Sequence, residues 1–215
     1  MKRRPKFARG IYAITPGESL DFAETLRRTS ELLQAGISAV QYRDKHCPLP
    51  EQRQRAEALL ALCQTAGTPF LINDNPELAQ AVGADGVHLG MDDASVESAR
   101  RILGPDSIIG VSCYDDVKRA VHAAGNGADY VAMGAFFPTT TKAPRAFATL
   151  DTLRAAKRQI TLPIVAIGGI TPDNAAALIK AGADMVAVIS SLYGAADPAQ
   201  QALRFKSLFA TTVES

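Results

Sequence analysis

The sequence has few cysteines and no long apolar run. Its 215 residues include only Cys47, Cys63 and Cys113, without the Cys-x-x-Cys spacing of zinc sites or the density of a disulfide framework. No apolar run approaches the roughly 18 residues that span a bilayer. No apolar segment follows the basic residues of the N-terminus, as one would in a secretory signal. These absences argue against a secreted or membrane protein and predict a cytoplasmic location.

The sequence also lacks an excess of charge and a dinucleotide-binding fingerprint. Lys and Arg number 23 and Asp and Glu number 22, which argues against a generally basic nucleic-acid-binding surface but leaves a local basic patch open. No Gly-x-Gly-x-x-Gly follows the first apolar run. With 47% hydrophobic and 21% charged residues, the composition is typical of one soluble globular domain, or at most two small ones.

Eight short apolar runs alternate with longer segments whose apolar residues recur every three or four positions. This alternation predicts parallel βα units with a sheet buried on both faces. At this chain length we expect an α/β protein, a single-domain (β/α)8 barrel over residues 10–215 after a basic tail at residues 1–9. An open doubly wound sheet is the competing arrangement. The runs span residues 10–15, 38–43, 69–73, 85–90, 107–112, 129–134, 163–168 and 184–190.

Glycines and a short repeat mark where helices give way to strands. A sequence similar to Ala-Gly-Ala-Asp occurs three times, ending at Asp85, Asp129 and Asp184, which suits a stack of equivalent βα units. Helix ends are predicted at Gly36, Gly67, Gly83, Gly125 and Gly182.

Candidate functional residues follow the second run, because active sites of such barrels lie at the carboxyl ends of the strands. Gln41, Arg43 and Lys45 are two residues apart, so on an extended segment they share one face, and Tyr42 points to the other. Two cations at the barrel mouth would attract a polyanion such as diphosphate. A solvated basic loop with Asp44 as the partner of the cations is the alternative.

Acidic residues follow the third and fourth runs. Asp74 and Asp93 would stand at neighbouring strand ends, where two carboxylates suit Mg²⁺. Capping of the helices that follow is the alternative role. His88, within the fourth run, is interpreted as a buried, hydrogen-bonded histidine.

A long polar loop follows the sixth run. Its hydroxyls and its cation can orient an anionic ligand, and its length is unusual for a simple connection, although a surface loop is the alternative. The residues concerned are Thr139, Thr140, Thr141 and Lys142.

Small residues follow the seventh and eighth runs. Gly168 and Gly169 allow a ligand to approach the backbone closely, and Ile189 and Ser190 open the segment after the last strand. Loops at these two positions commonly form a phosphate site in this fold, although barrel closure also favours small residues. Together with the cationic segment, they suggest two phosphorylated substrates or one substrate with two phosphate ends. A Schiff base on a lysine at a strand end stays open.

The motifs YAIT, VQYRDK, LINDN, GVHLG followed by MDD, IIGVS, TTTK, AIGGI and AVISS occur in this order between about residues 10 and 210. The ordered set closely resembles the thiamine-phosphate synthase (thiamine phosphate pyrophosphorylase) family. The resemblance implies a barrel that joins 4-amino-2-methyl-5-hydroxymethylpyrimidine diphosphate to 4-methyl-5-(2-phosphoethyl)thiazole, or to its carboxylated form. It also implies Mg²⁺ as cofactor, a dissociative departure of diphosphate, and small molecules rather than nucleic acid or membrane as partners.

The resemblance also implies a role for each matching residue. Mg²⁺ would be held by Asp74 and Asp93. The residues implied in catalysis are Arg43, Lys45, Ser112 and Lys142. The residues implied to bind the pyrimidine diphosphate are Gln41, Tyr42, Arg43, Asp44, Lys45, Asn73, Ser112 and Lys142. The residues implied to bind the thiazole phosphate are Thr139, Thr140, Thr141, Gly169, Ile189 and Ser190.

Two positions depart from the family pattern: Met91 stands where glutamine is usual, and Tyr114 where histidine is frequent. One alternative function is a thiazole tautomerase with a histidine general base on the same barrel. Others are a non-catalytic regulator that binds thiazole phosphate and an isomerase or epimerase of phosphorylated sugars. The intact cationic and acidic set argues against the tautomerase, which needs no diphosphate site.

Overall fold

In this computed structural model, which describes Phe7, residues 9–139 and residues 146–210, eight parallel strands close into a barrel. Each strand pairs with the next along the chain, and the last pairs with the first. The predicted single-domain (β/α)8 barrel is therefore confirmed. The strands are β1 (Gly10–Ile14), β2 (Ala39–Tyr42), β3 (Phe70–Asn73), β4 (Gly86–Leu89), β5 (Ile108–Tyr114), β6 (Tyr130–Met133), β7 (Ile164–Ile167) and β8 (Met185–Val188).

Helices connect the strands around the outside of the barrel. Polar side chains cap many of them; Asp21, for example, accepts the backbone N–H groups of Ala23 and Glu24, a type of cap that contributes about 1 kcal/mol. The helices are α1 (Phe22–Gln34), α2 (Leu49–Ala66), α3 (Pro76–Val82), α4 (Val96–Leu103), α5 (Val117–Gly125), α6 (Leu150–Gln159), α7 (Pro172–Lys180), α8 (Ser190–Tyr193) and α9 (Pro198–Ala210).

Glycines lie at the carboxyl ends of several helices, as predicted. Gly67 (φ 65°) and Gly83 (φ 75°) adopt the left-handed conformation that closes α2 and α3. The predicted helix end at Gly125 is confirmed, although Gly125 is the last residue of α5 and not the residue that follows it. Asn126 takes the cap position instead, and Gly127 (φ 84°) supplies the left-handed backbone.

Residues inside the barrel alternate along each strand with residues that pack against the helices. Tyr12, Leu71 and Tyr130 belong to the inner cluster. Val40 and Tyr42 belong to the outer cluster, which strands and helices share. The predicted orientation of Val40 and Tyr42 is therefore observed. The prediction that Lys45 shares a face with Gln41 and Arg43 is wrong, because β2 ends at Tyr42 and Lys45 lies beyond the extended segment, in a different pocket.

Three aspartates tie neighbouring strands together at the amino-terminal end of the barrel. Each lies just before β4, β6 or β8 and accepts a hydrogen bond from a backbone N–H of the preceding strand. The pairs are Phe70 to Asp85 (2.8 Å), Ile109 to Asp129 (2.9 Å) and Ile164 to Asp184 (2.8 Å). The repeat that ends at these three aspartates therefore stabilises the barrel, because each aspartate provides an acceptor for a backbone N–H at the start of a strand.

None of the helices in the described part of the chain combines the length and apolar character that a bilayer crossing requires. All three cysteines are free thiols. Burial raises the pKa of Cys63 and of Cys113 to about 12, so both stay protonated.

Candidate active site

The carboxyl ends of the strands surround one cavity of roughly 1040 Å³, including its open mouth. Most of the described residues that the sequence predicts as substrate contacts line it. They are Gln41 in β2 and Arg43 after it, Asn73 in β3, Ser112 in β5, Thr139 after β6, Gly169 after β7, and Ile189 and Ser190 after β8.

Lys45 lies in an adjoining pocket that shares Asn73 with the cavity. Its Nζ is 2.8 Å from Oδ2 of Asp74. Asp44 pairs instead with Arg55 of α2 at 2.9 Å. The alternative in which Asp44 serves as the partner of Lys45 in a solvated loop is therefore not what the structure shows.

Tyr42 and Asp44 line the adjoining pocket rather than the main cavity. Tyr42 is buried in the outer cluster, and burial raises the pKa of its phenol above the usual value. Asp44 also accepts the backbone N–H of Cys47 (3.3 Å), which orders the segment after β2. These two residues therefore line a different pocket from Gln41 and Arg43. Their contact with the pyrimidine diphosphate stays a prediction.

Asp74 and Asp93 meet at the barrel mouth. Their carboxyl groups share a hydrogen bond, and Oδ2 of Asp93 also accepts the backbone N–H of Gly90 at 2.6 Å. Asp74 has a left-handed backbone (φ 64°), which is uncommon for a residue other than glycine. Backbone strain of this kind often marks functional positions.

The two carboxyl groups differ in their affinity for a proton. Burial opposes ionisation of Asp74, but hydrogen bonds with Asp93 and Lys45 outweigh it and hold the pKa of Asp74 below its usual value. Burial, followed by the hydrogen bond with Asp74, raises the pKa of Asp93. The contact between the two carboxyl groups therefore favours a proton or a cation beside Asp93.

Helix capping does not explain either of these aspartates. Asn75 caps α3, with its side chain accepting a backbone N–H of the first turn at 2.8 Å. Ser95 caps α4 in the same way at 3.1 Å. Within the described residues, no group of three or more His, Cys, Asp or Glu side chains could hold a metal. A cation at Asp74 and Asp93 would take its other ligands from water and substrate, as Mg²⁺ commonly does.

Backbone groups form the opposite side of the cavity. Gly168 (φ 102°) and Gly169 (φ 61°) have positive φ angles after β7. A Cβ atom at Gly169 would lie 2.3 Å from the carbonyl oxygen of Pro138, so only glycine fits. The side-chain amide of Asn174 donates to the carbonyl of Gly169 (3.0 Å) and holds this turn against α7.

The short helix α8 begins directly after β8. Its first backbone hydrogen bonds run from Leu192 and Tyr193 to the carbonyl of Ile189, at 3.1 and 2.9 Å. The N–H groups of Ser190 and Ser191 precede these bonds, next to the cavity that Ile189 and Ser190 line. The arrangement suits an anionic oxygen.

The loop after β6 contributes Thr139 to the cavity. Two of its backbone N–H groups donate to carbonyl groups at the end of β7, which holds the start of the loop beside the glycine turn. The remaining predicted residues of the loop, Thr140, Thr141 and Lys142, lie outside the described residues, and their roles stay predictions.

A buried hydrogen-bond chain crosses the barrel interior at the base of the cavity. The amide nitrogen of Gln41 donates to Tyr12 (2.7 Å), whose hydroxyl lies 3.0 Å from that of Tyr130. Nδ1 of His88 is 2.8 Å from the Tyr130 hydroxyl, and its Nε2 is 2.9 Å from Oγ of Ser112. The prediction of a buried, hydrogen-bonded His88 is confirmed.

The sequence analysis missed Tyr12 and Tyr130. The signal that could have found them is a tyrosine inside an otherwise aliphatic strand run, because a buried phenol needs a hydrogen-bond partner.

Comparisons with known proteins identify the family. The sequence model of the family described as thiamine monophosphate synthase matches residues 11–192. The chain is 50% identical over 202 residues to a thiamine-phosphate synthase of Azoarcus sp., covering 94% of this chain and 98% of the relative. It is 51% identical over 202 residues to a thiamine-phosphate synthase of Methylobacillus flagellatus, covering 93% and 95%.

Solved structures give the same result. The fold is similar to that of thiamine phosphate pyrophosphorylase from Pyrococcus furiosus, with a TM-score of 0.85, 34% identity and 98% coverage of both chains. Orotidine 5'-phosphate decarboxylase from Pyrococcus horikoshii, with a TM-score of 0.68 and 13% identity, shares the fold alone. The chain belongs to the thiamine monophosphate synthase family and is a transferase.

Proposed function

We propose that this chain joins 4-amino-2-methyl-5-hydroxymethylpyrimidine diphosphate to 4-methyl-5-(2-phosphoethyl)thiazole, or to its carboxylated form. The products are thiamine monophosphate and diphosphate, together with carbon dioxide when the carboxylated form is the substrate. The observation that carries the proposal is that two different groups of residues suited to anions surround one barrel mouth. Charged side chains follow β2, β3 and β4, and backbone N–H groups follow β7 and β8. Two phosphorylated substrates would bind on these opposite sides, with their reacting groups between them.

The reaction breaks the bond between the pyrimidine methylene carbon and a diphosphate oxygen, and it forms a bond from that carbon to the thiazole nitrogen. The electron-rich aminopyrimidine carries the positive charge when diphosphate departs. The thiazole nitrogen supplies its own lone pair, so no protein nucleophile is required. The protein must therefore stabilise the leaving group and hold the two rings in place.

The residues of the β2–β5 side would bind the diphosphate. Arg43 offers a fork of N–H donors, and Lys45 offers a compact positive charge. Ser112 and Lys142 would donate further hydrogen bonds to the leaving group. On the other side, Thr139 and the backbone N–H groups after β7 and β8 would hold the thiazole phosphate.

Asp74 and Asp93 fit a Mg²⁺ ion. Their carboxyl groups interact with each other, and a divalent cation would compensate the negative charge of the pair. Two carboxylates completed by water and phosphate oxygens are a typical Mg²⁺ environment. When bound, Mg²⁺ would neutralise charge on the diphosphate and make it a better leaving group.

A product assay tests this function. Purified protein is mixed with both substrates and Mg²⁺, and thiamine monophosphate is measured after oxidation to its fluorescent thiochrome. We expect product only when both substrates are present, and loss of product when EDTA removes the metal. No product from folded protein with either thiazole form would contradict the proposal.

Two alternatives give different results in the same assay. A thiazole tautomerase would convert the carboxylated thiazole in the absence of pyrimidine diphosphate. That reaction needs a free histidine base, whereas both ring nitrogens of His88 are hydrogen-bonded, to Tyr130 and Ser112. A regulator that only binds thiazole phosphate would release no diphosphate.

A further inference from the structure

The hydrogen-bond chain at the base of the cavity connects two residues that line it, Gln41 and Ser112. The three residues between them, Tyr12, Tyr130 and His88, are buried, with exposures of 1%, 0% and 8%. Each hydroxyl has one hydrogen to donate, and a neutral imidazole has one donor and one acceptor nitrogen. The direction of the bonds at one end therefore determines their direction at the other end.

The amide of Gln41 sets this direction. Its Nε2 can only donate, and it lies 2.7 Å from the hydroxyl of Tyr12. Tyr12 then donates to Tyr130 (3.0 Å), and Tyr130 donates to Nδ1 of His88 (2.8 Å). With Nδ1 as an acceptor, a neutral His88 carries its hydrogen on Nε2 and donates it to Ser112 (2.9 Å).

The opposite direction is unfavourable with this orientation of Gln41. Tyr12 would accept hydrogen bonds from both Gln41 and Tyr130. The buried phenol hydrogen of Tyr12 would then have no acceptor within the hydrogen-bond chain. A positively charged His88 would produce the same defect, because both ring nitrogens would then donate.

Both phenols retain the hydrogens that this direction requires. Burial raises the pKa of Tyr12 well above its usual value, although hydrogen bonds with Tyr130 and Gln41 oppose the effect. Burial and the neighbouring Tyr12 raise the pKa of Tyr130 as well.

Packing fixes the position of the Tyr130 ring. Phe7 stacks on it with the ring centres 4.3 Å apart and an interplanar angle of 13°. The ring of Tyr12 meets it edge-on, with the centres 6.0 Å apart. On the neighbouring strand, a Cβ atom at Gly110 would lie 2.3 Å from the Tyr130 hydroxyl, so the glycine makes room for it.

We propose that Tyr12, Tyr130 and His88 are positioning residues that give the two ends of the chain opposite hydrogen-bonding character. Gln41 presents its amide oxygen to the cavity as an acceptor, and Ser112 presents its hydroxyl hydrogen as a donor. This inference rests on the proposed function. The acceptor suits the amino group of the aminopyrimidine, which becomes more positive as diphosphate leaves. The donor suits a diphosphate oxygen, which becomes more negative in the same step.

The tautomer of His88 tests the direction without any substrate. The protein has three histidines. The two exposed ones can be removed in the variant H46Q/H122Q, which leaves His88 as the only histidine. With ¹⁵N in the imidazole ring, NMR at neutral pH should show a neutral ring with its hydrogen on Nε2. A hydrogen on Nδ1, or on both nitrogens, would overturn the proposal.

Two conservative variants separate the ends of the chain. Tyr12→Phe removes the acceptor of Gln41 but leaves the links from Tyr130 to Ser112, whereas Tyr130→Phe removes the donor to His88. We expect each to lower kcat about tenfold, with the KM for thiazole phosphate within about twofold of the wild-type value. Only Tyr130→Phe should change the ¹⁵N signals of His88.

Tyr193→Phe is the matched control. It removes an equally buried phenol hydroxyl, which bonds to Thr29 at 2.9 Å outside the cavity. This variant should keep wild-type kinetics and the wild-type His88 signals. Wild-type kinetics in both Tyr12→Phe and Tyr130→Phe would overturn the positioning role. If Tyr130→Phe does not fold, the kinetics of Tyr12→Phe decide the positioning role, and the tautomer of His88 in the otherwise unchanged protein decides the direction of the hydrogen bonds. Absence of product from the wild type would refute the proposed function, while the NMR experiment would still decide the direction of the chain.

Discussion

Acidic side chains at the amino-terminal end of the barrel are paired with donors and cations, whereas two acidic side chains at the carboxyl end also interact with each other. Asp129 and Asp184 each accept a strand N–H and also pair with a cation from a helix, at 2.7 and 2.6 Å. Asp74 and Asp93 share a hydrogen bond, and Lys45 pairs with Asp74.

The difference shows where the sequence favours stability and where it favours chemistry. A hydrogen bond to a charged group contributes about 1.5–3 kcal/mol, so the amino-terminal aspartates stabilise the barrel. Two carboxylates in contact repel each other unless a proton or a cation lies between them. The carboxyl end therefore keeps an arrangement that a ligand improves, which agrees with the location of active sites in this fold.

Replacement of Asp93 is expected to give the largest effect on activity. Asp93→Ala removes one of the two carboxylates proposed to hold Mg²⁺, so turnover should fall at least tenfold. The melting temperature should fall by less than about 4 °C, because relief of the contact between two carboxyl groups offsets the lost hydrogen bond from the Gly90 N–H. Diphosphate release and thermal unfolding measure the two quantities. Asp92→Ala, at the exposed neighbouring position, is the local control and should resemble the wild type.

Asp184→Ala is the matched substitution at the amino-terminal end. It removes the acceptor of the Ile164 N–H and the partner of Lys157, so the melting temperature should fall by about 4 °C or more. Turnover at a temperature where the variant is folded should stay within about twofold. Equal losses of turnover in Asp93→Ala and Asp184→Ala would contradict the division between the two ends.

Two glycines with similar φ angles allow a second comparison between the ends. Gly169 (φ 61°) lies at the carboxyl end, and Gly67 (φ 65°) lies at the amino-terminal end. A Cβ atom would meet Pro138 and Phe137 at the first position but nothing within 4 Å at the second. Gly169→Ala should raise the KM for thiazole phosphate about tenfold, because the turn beside the cavity must shift.

Gly67→Ala should lower the free energy of unfolding by about 1 kcal/mol and leave both KM values unchanged. Steady-state kinetics with each substrate varied in turn, together with denaturant unfolding, distinguish the two variants. A similar KM for thiazole phosphate in both variants would show that the close packing of Gly169 against Pro138 and Phe137 does not affect the phosphate site.

The barrel and most of its cavity could be predicted from the sequence, because both follow from local patterns. Apolar runs give the strands, and parallel strands bring their carboxyl ends together, so Gln41, Ser112 and Ser190 reach one cavity without any knowledge of side-chain contacts. The sequence alone could not separate metal binding from helix capping at Asp74 and Asp93. Asn75 and Ser95, which are close to them, are equally good caps.

The hydrogen-bond chain could not be predicted in the same way. Tyr12 and Tyr130 are 118 residues apart, and their contact depends on which residues of β1 and β6 reach the same level inside the closed barrel. That level depends on the registers of all the strands between them, and a shift of one residue reverses the direction of a side chain. The pairing of Asp44 with Arg55 of α2 could not be predicted either, because it depends on how the helix packs against the barrel.

Met91→Gln is expected to give the smallest effect. The substitution restores the residue that is usual in the family, and the side chain of Met91 is 46% exposed and lines neither the cavity nor the adjoining pocket. The neighbouring Gly90 reaches Asp93 through its backbone N–H, which the substitution retains. The Mg²⁺ concentration for half-maximal turnover should therefore stay within about twofold of the wild-type value. A larger change would place residue 91 among the surroundings of the metal, and the chemistry at the carboxyl end would then extend beyond the residues that line the cavity.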